Sequence, residues 1–180
     1  MKTVLGREEL ERVVRAAADR LEGDWLLVGG GLVALWLLPG RTTEDVDLMG
    51  LEGSGRERLA LMELAAELGL SIEAVNSAAD FFVRRIPGWR SEIEPFVIGA
   101  RGRIFRPSPT LFLLLKLPRL SAHDLGDCLA LLARVAEDRL ALDVRRVTEA
   151  LSRLPPTPDA GLQQRREELA AALGAIGHQG

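Results

Sequence analysis

This 180-residue chain has no tyrosine, one cysteine, two histidines and two lysines, and only 4% of it is aromatic. Each shortage excludes something. A lone Cys128 rules out an intrachain disulfide framework, and its apolar helical setting (GDCLALLARV) marks it as a buried packing residue. With only His123 and His178, the latter in the terminal tail, neither a zinc centre nor a Ser-His-Asp triad can be assembled. Trp25, Trp36 and Trp89 are scattered, so there is no stacking platform for single-stranded nucleic acid. A net charge of −3 provides no global basic field for nucleic acid. Arginines 84, 85, 90, 101, 103 and 106 do cluster in sequence, and they read either as a groove for RNA or as a solvated sheet face. No run is long enough to cross a bilayer, and the N-terminus lacks a secretory apolar segment, so a cytoplasmic protein without membrane association is expected. Lys2 is terminal, which leaves Lys116 as the only internal lysine.

What is present is 47% hydrophobic residues and 27% charged ones, enough for a real core. Apolar positions 10, 13, 14, 17 and 21 recur at helical spacing, so a helix is expected over 7–21. A strand over 24–28 then leads through Gly29-Gly30-Gly31 into an all-apolar helix ending near Leu38. An acidic strand is expected over 44–49, a helix over 56–68, and strands over 71–75, 81–86, 92–98 and 103–106. Beyond Pro107 the pattern is helical throughout, in four segments over 108–117, 121–138, 141–154 and 159–175. The expectation is an α/β (α+β) fold: a small mixed sheet with flanking helices over 1–106, with a helical segment over 107–180 packed on it.

The chemistry concentrates in residues 26–49, LLVGGGLVALWLLPGRTTEDVDLM. Side chains two apart on a strand share a face, so Asp45 and Asp47 lie side by side. Paired carboxylates are stabilised by a cation between them, and hard divalent ions prefer such oxygen ligands together with substrate phosphates. Glycine N–H groups at a helix start favour an anion. The run matches neither G-x-G-x-x-G nor a P-loop. Taken alone, it is equally a tight strand-to-helix turn, and the two aspartates equally solvated edge residues. A third carboxylate from a neighbouring strand would allow two metals to be bridged for in-line attack on phosphorus.

Gly30-Gly31, thirteen residues, then Asp45-Val46-Asp47 resembles the signature of the polymerase-β-like nucleotidyltransferase superfamily. Together with Arg41-Thr42 and Glu44 to Leu48, it resembles the bacterial AbiEii-type and related nucleotidyltransferase proteins. Downstream, LLLKLPRLSAHDLGDCLALL resembles that group's helical motif, with Lys116, Arg119, Asp124 and Asp127 at the matching positions. The likeness covers roughly 26–135. It implies that Gly29, Gly30 and Gly31 hold a triphosphate, that Asp45 and Asp47 bind Mg²⁺ or Mn²⁺, and that Arg41 or Thr43 contacts phosphate. It implies further that Lys116 neutralises phosphate, unless it is a lysine stretched along an apolar helix edge. Asp124 and Asp127 would support it, Asp124 as a helix N-terminal charge and Asp127 pairing with Arg119. The third acid is expected at Glu73, with Glu92 and Glu94 as second choices. The implied reaction transfers a nucleotidyl group from an NTP to a protein or RNA acceptor, in the setting of a toxin–antitoxin system. The alternative is a catalytically silent nucleotide-binding or protein-interaction member of the same fold.

Overall fold

The computed structural model describes residues 4–53, 55–77 and 79–177; Lys2 and His178 lie outside them. The fold is mixed α and β, and it divides into two units, one ending at Pro107 and one beginning at Ser108.

In the first unit, α1 (Arg7–Arg20) presents Leu10, Val13, Val14 and Ala17 to the interior, as its periodicity requires. The strands are β1 (Gly23–Val28), β2 (Val46–Gly50), β3 (Val75–Asn76), β4 (Ile93–Ile98) and β5 (Gly102–Pro107). They form one five-stranded sheet in the order β3-β2-β1-β5-β4. β1 runs antiparallel to β2 and parallel to β5, while β2 and β3 are parallel. The centre of the sheet is fully apolar: Leu26, Leu27, Leu48, Met49 and Ile104 are completely buried. Burying each such side chain contributes about 1.5–3 kcal/mol. Helix α2 (Gly29–Trp36) leaves β1 without an intervening loop, and α3 (Glu57–Glu67) follows β2.

Two of the expected strands are corrected. The segment 81–86 is helical, as α4 (Asp80–Arg84), because the run Phe81-Phe82-Val83 carries no period to separate strand from helix. Val83 alone of the three is buried, and the Arg84 guanidinium meets the Asp80 carboxylate one turn back at 2.5 Å. The strand expected over 71–75 shrinks to Val75–Asn76. Its first residues form a turn closed by the Ala74 N–H on the Ser71 carbonyl at 2.9 Å, and Ile72 is exposed. Glu92 lies in a short 3-10 helix (Trp89–Glu92) rather than on β4.

The second unit contains α5 (Pro109–Lys116), α6 (Ala122–Asp138), α7 (Val144–Ser152) and α8 (Ala160–Gly177). Ser108, Ser121 and Asp143 cap the first three, each accepting a backbone N–H within the first turn. Leu111, Leu113, Leu131, Val147, Leu169 and Leu173 are fully buried. Among the described residues no helix is long and apolar enough to cross a membrane.

Candidate functional site

The glycine turn and the acidic strand are in contact. Gly29 has φ +71°, a left-handed conformation natural to glycine, and a Cβ placed there would strike the Asp47 carboxylate. A Cβ on Gly30 would lie 2.7 Å from the Thr43 hydroxyl, and one on Gly31 3.8 Å from the Asp45 carbonyl. The turn is therefore tight in a particular direction, because its missing side chains make room for the residues of the acidic segment. The cause is the antiparallel pairing of β1 with β2, which sets Val28 opposite Asp47 and brings the end of one strand to the beginning of the other.

Asp45 falls just before β2 rather than within it, and it is exposed; Asp47 is on the strand and half-buried. The Thr43 hydroxyl donates to Asp45 Oδ1 at 3.2 Å and to the Asp45 carbonyl at 3.1 Å, which fixes the start of the acidic pair. Thr43 is itself anchored by Leu5. The Leu5 N–H donates to the Thr43 carbonyl at 2.7 Å, and the Thr43 N–H donates to the Leu5 carbonyl at 3.1 Å. Arg41 closes the turn after α2, its N–H on the Leu38 carbonyl at 2.9 Å. Helix α2 begins on glycines, and its N-cap residue Val28 has no side-chain oxygen with which to cap it.

Of the expected third acids, Glu73 shares a depression with Asp45 but not with Asp47. Glu73 and Asp45 line one depression of about 500 Å³, whose wall includes Leu61, Met62, Val75 and Asn76. Glu94 is on β4, three strands from β2, or roughly 14 Å at the usual spacing of about 4.8 Å, and it pairs with Arg106 at 2.5 Å. Among the described residues no three His, Cys, Asp or Glu gather as a metal-holding group. Asp45 and Asp47, with the Thr43 hydroxyl beside Asp45, are hard oxygen donors of the kind Mg²⁺ takes. This donor set fits the cation.

Asn76 is the neighbour that the sequence did not single out. In the parallel pairing of β2 and β3 it stands opposite Asp47, and its amide donates to the Glu73 carbonyl at 3.5 Å. No local signal marks it, because its significance comes from register with a strand almost thirty residues away.

The second motif assembles in the helical unit. Lys116 Nζ is 2.9 Å from Asp124 Oδ1 and 2.9 Å from Asp127 Oδ2, with both carboxylates buried. Arg119 makes two bonds to Asp124, at 2.7 and 2.8 Å, so the expected pairing of Arg119 with Asp127 is replaced by one with Asp124. Ser121 and Asp124 form a capping box at the start of α6. Burial opposes ionisation of Asp124, but hydrogen bonds from Arg119, Lys116 and Ser121 outweigh it and hold the carboxyl well below the usual carboxylate range. Cys128 is buried in this unit, and burial pushes its thiol up to about 12.

The arginines of the cluster have partners within the first unit. Arg101 meets Glu22, Arg103 grips Asp24 through two bonds, Arg84 meets Asp80, and Arg90 donates to the Leu51 carbonyl at 2.7 Å. Arg106 lies over the Trp36 ring at 3.9 Å besides pairing with Glu94.

Comparison with protein-family models, curated proteins and solved structures gives no match. The functional reading therefore rests on the residues and their geometry.

Proposed function

We propose that the first unit binds a nucleoside triphosphate with Mg²⁺ or Mn²⁺ and transfers its nucleotidyl group to a hydroxyl on a protein or RNA acceptor. This is the chemistry of the polymerase-β-like nucleotidyltransferases, and a toxin–antitoxin pairing in the cytoplasm is the setting we assign to it. The observation that supports the reading is the fit of Gly29 and Gly30 against Asp47 and Thr43, which brings the start of α2 against the acidic segment. The N–H groups at the start of α2 orient the phosphates. Asp45 and Asp47 would hold the cation, which when bound offsets charge on the polyphosphate. Thr43 fixes the Asp45 carboxylate through its hydroxyl. Transfer forms a bond from the acceptor oxygen to the α-phosphorus and breaks the bond from that phosphorus to the bridging oxygen, releasing pyrophosphate. Glu73, which lines the same depression as Asp45, takes the acceptor's proton.

A second reading, nucleotide binding without transfer, is favoured by one observation: the residue paired with Asp47 on β3 is the neutral Asn76. Calorimetry with Mg²⁺ and each NTP tests the site. Binding by the wild-type chain should weaken at least about tenfold in Asp45→Ala/Asp47→Ala, a loss of about 1.4 kcal/mol or more. Failure to bind any NTP, or equal binding by the double variant, refutes it. Release of pyrophosphate on adding acceptor then separates transfer from binding alone.

A further inference from the structure

Asp47 has two neighbours across the sheet, Val28 on β1 and Asn76 on β3. Residues paired across adjacent strands project from the same face, so these are the side chains that flank the carboxylate laterally. One is apolar and the other is a neutral amide. Two divalent cations held roughly 3.5–4 Å apart repel strongly, and sites that hold two supply bridging anionic ligands to offset the repulsion. Here the protein offers two carboxylates, Asp45 and Asp47. The strand position from which a third would reach Asp47 is occupied by an amide, which can donate an oxygen but no charge. Glu73 does not replace it: among the described residues it forms no three-acid group with the pair.

We infer that the site holds a single divalent cation per bound nucleotide and that Asn76 is the residue that sets this number. The inference rests on the nucleotide site proposed above and goes beyond it by fixing its metal content. Asn76→Asp changes charge with almost no change in shape, on a two-residue edge strand. The substitution supplies the missing anion beside Asp47 and admits the second cation.

The test is electron paramagnetic resonance on the full chain with Mn²⁺ and each of the four α,β-methylene nucleoside triphosphates, which cannot transfer a nucleotidyl group. Two Mn²⁺ at bridging distance give a spin-coupled spectrum, whereas one does not. The wild-type chain should show protein-bound, uncoupled Mn²⁺ at about one per bound nucleotide, and Asn76→Asp should show the coupled spectrum at about two. A coupled spectrum from the wild type overturns the inference and leaves the nucleotide site standing. An uncoupled spectrum from a folded Asn76→Asp overturns the assignment to Asn76. Absence of bound Mn²⁺ and nucleotide from the wild type overturns the site itself, and with it the inference.

Discussion

Replacing Lys116 by methionine tests whether the ion cluster of the helical unit acts by neutralising buried charge. Lys116 has 13% of its side chain exposed, and its two partners have 1% and 0%. Removing one member of a buried pair costs about 3–5 kcal/mol, because the remaining charge stays desolvated. Asp124 retains both bonds from Arg119 and the Ser121 cap, which keep its charge compensated. That places the expected cost near the low end, about 3 kcal/mol. Methionine keeps the length and apolar character of the lysine stem, so little packing is lost with the charge. Urea denaturation followed by far-ultraviolet circular dichroism should show the decrease in stability, and high salt should leave it largely unchanged because the groups are buried. Lys116→Met/Asp127→Leu removes the charge on both sides and should regain most of the loss. If the single variant stays within about 1 kcal/mol of wild type, or the double variant is less stable than the single, buried-charge neutralisation is not what Lys116 does.

Two further outcomes follow from named geometry. The folded-state pKa of Asp124 lies below its unfolded value of about 3.9, so its contribution is fully present above that pH and is lost as pH falls through the folded value. The wild-type chain should therefore lose stability on acidification below about pH 4, and Asp124→Asn should show a shallower fall over that limb in acid titrations of the unfolding midpoint. Gly29→Ala forces a left-handed alanine, costing about 1–2 kcal/mol, and drives a methyl group into Asp47. In a chain of this size each kcal/mol lowers the melting temperature by about 2–4 °C. The variant should melt several degrees lower and lose nucleotide binding in calorimetry. Gly40→Ala, where a Cβ meets nothing within 4 Å, should do neither, and an unchanged Gly29→Ala would remove the steric basis of the site.

The parts of this protein that repeat with a period were legible from its sequence. The helices over 7–20, 57–67 and beyond 108 follow from apolar spacing, caps and prolines, which are local properties. Phe81-Phe82-Val83 is apolar at every position, and such a run fits a short helix as well as a strand. The proximity of Gly29 and Asp47 was expected from the motif resemblance, and the antiparallel pairing of β1 and β2 is what produces it. The pairing of Asp47 with Asn76 was not, since register between β2 and β3 is decided by packing of α3 and the sheet, which no local pattern encodes. Lys116, Asp124 and Asp127 stood out as a group through the resemblance of their segment to a known helical motif, while the pairing of Arg119 with Asp124 depends on where the 117–121 turn points Arg119.

The two-bond bridge between Leu5 and Thr43 has a practical bearing. Thr43 orients Asp45, so the backbone amides of residues 5 and 43 are mechanically one step from the acidic pair. Their exchange with deuterated water reports the state of the site without any label at it. A ligand that tightens Asp45 should slow both amides together, and a tag or fusion that strains the chain before Leu5 should quicken both.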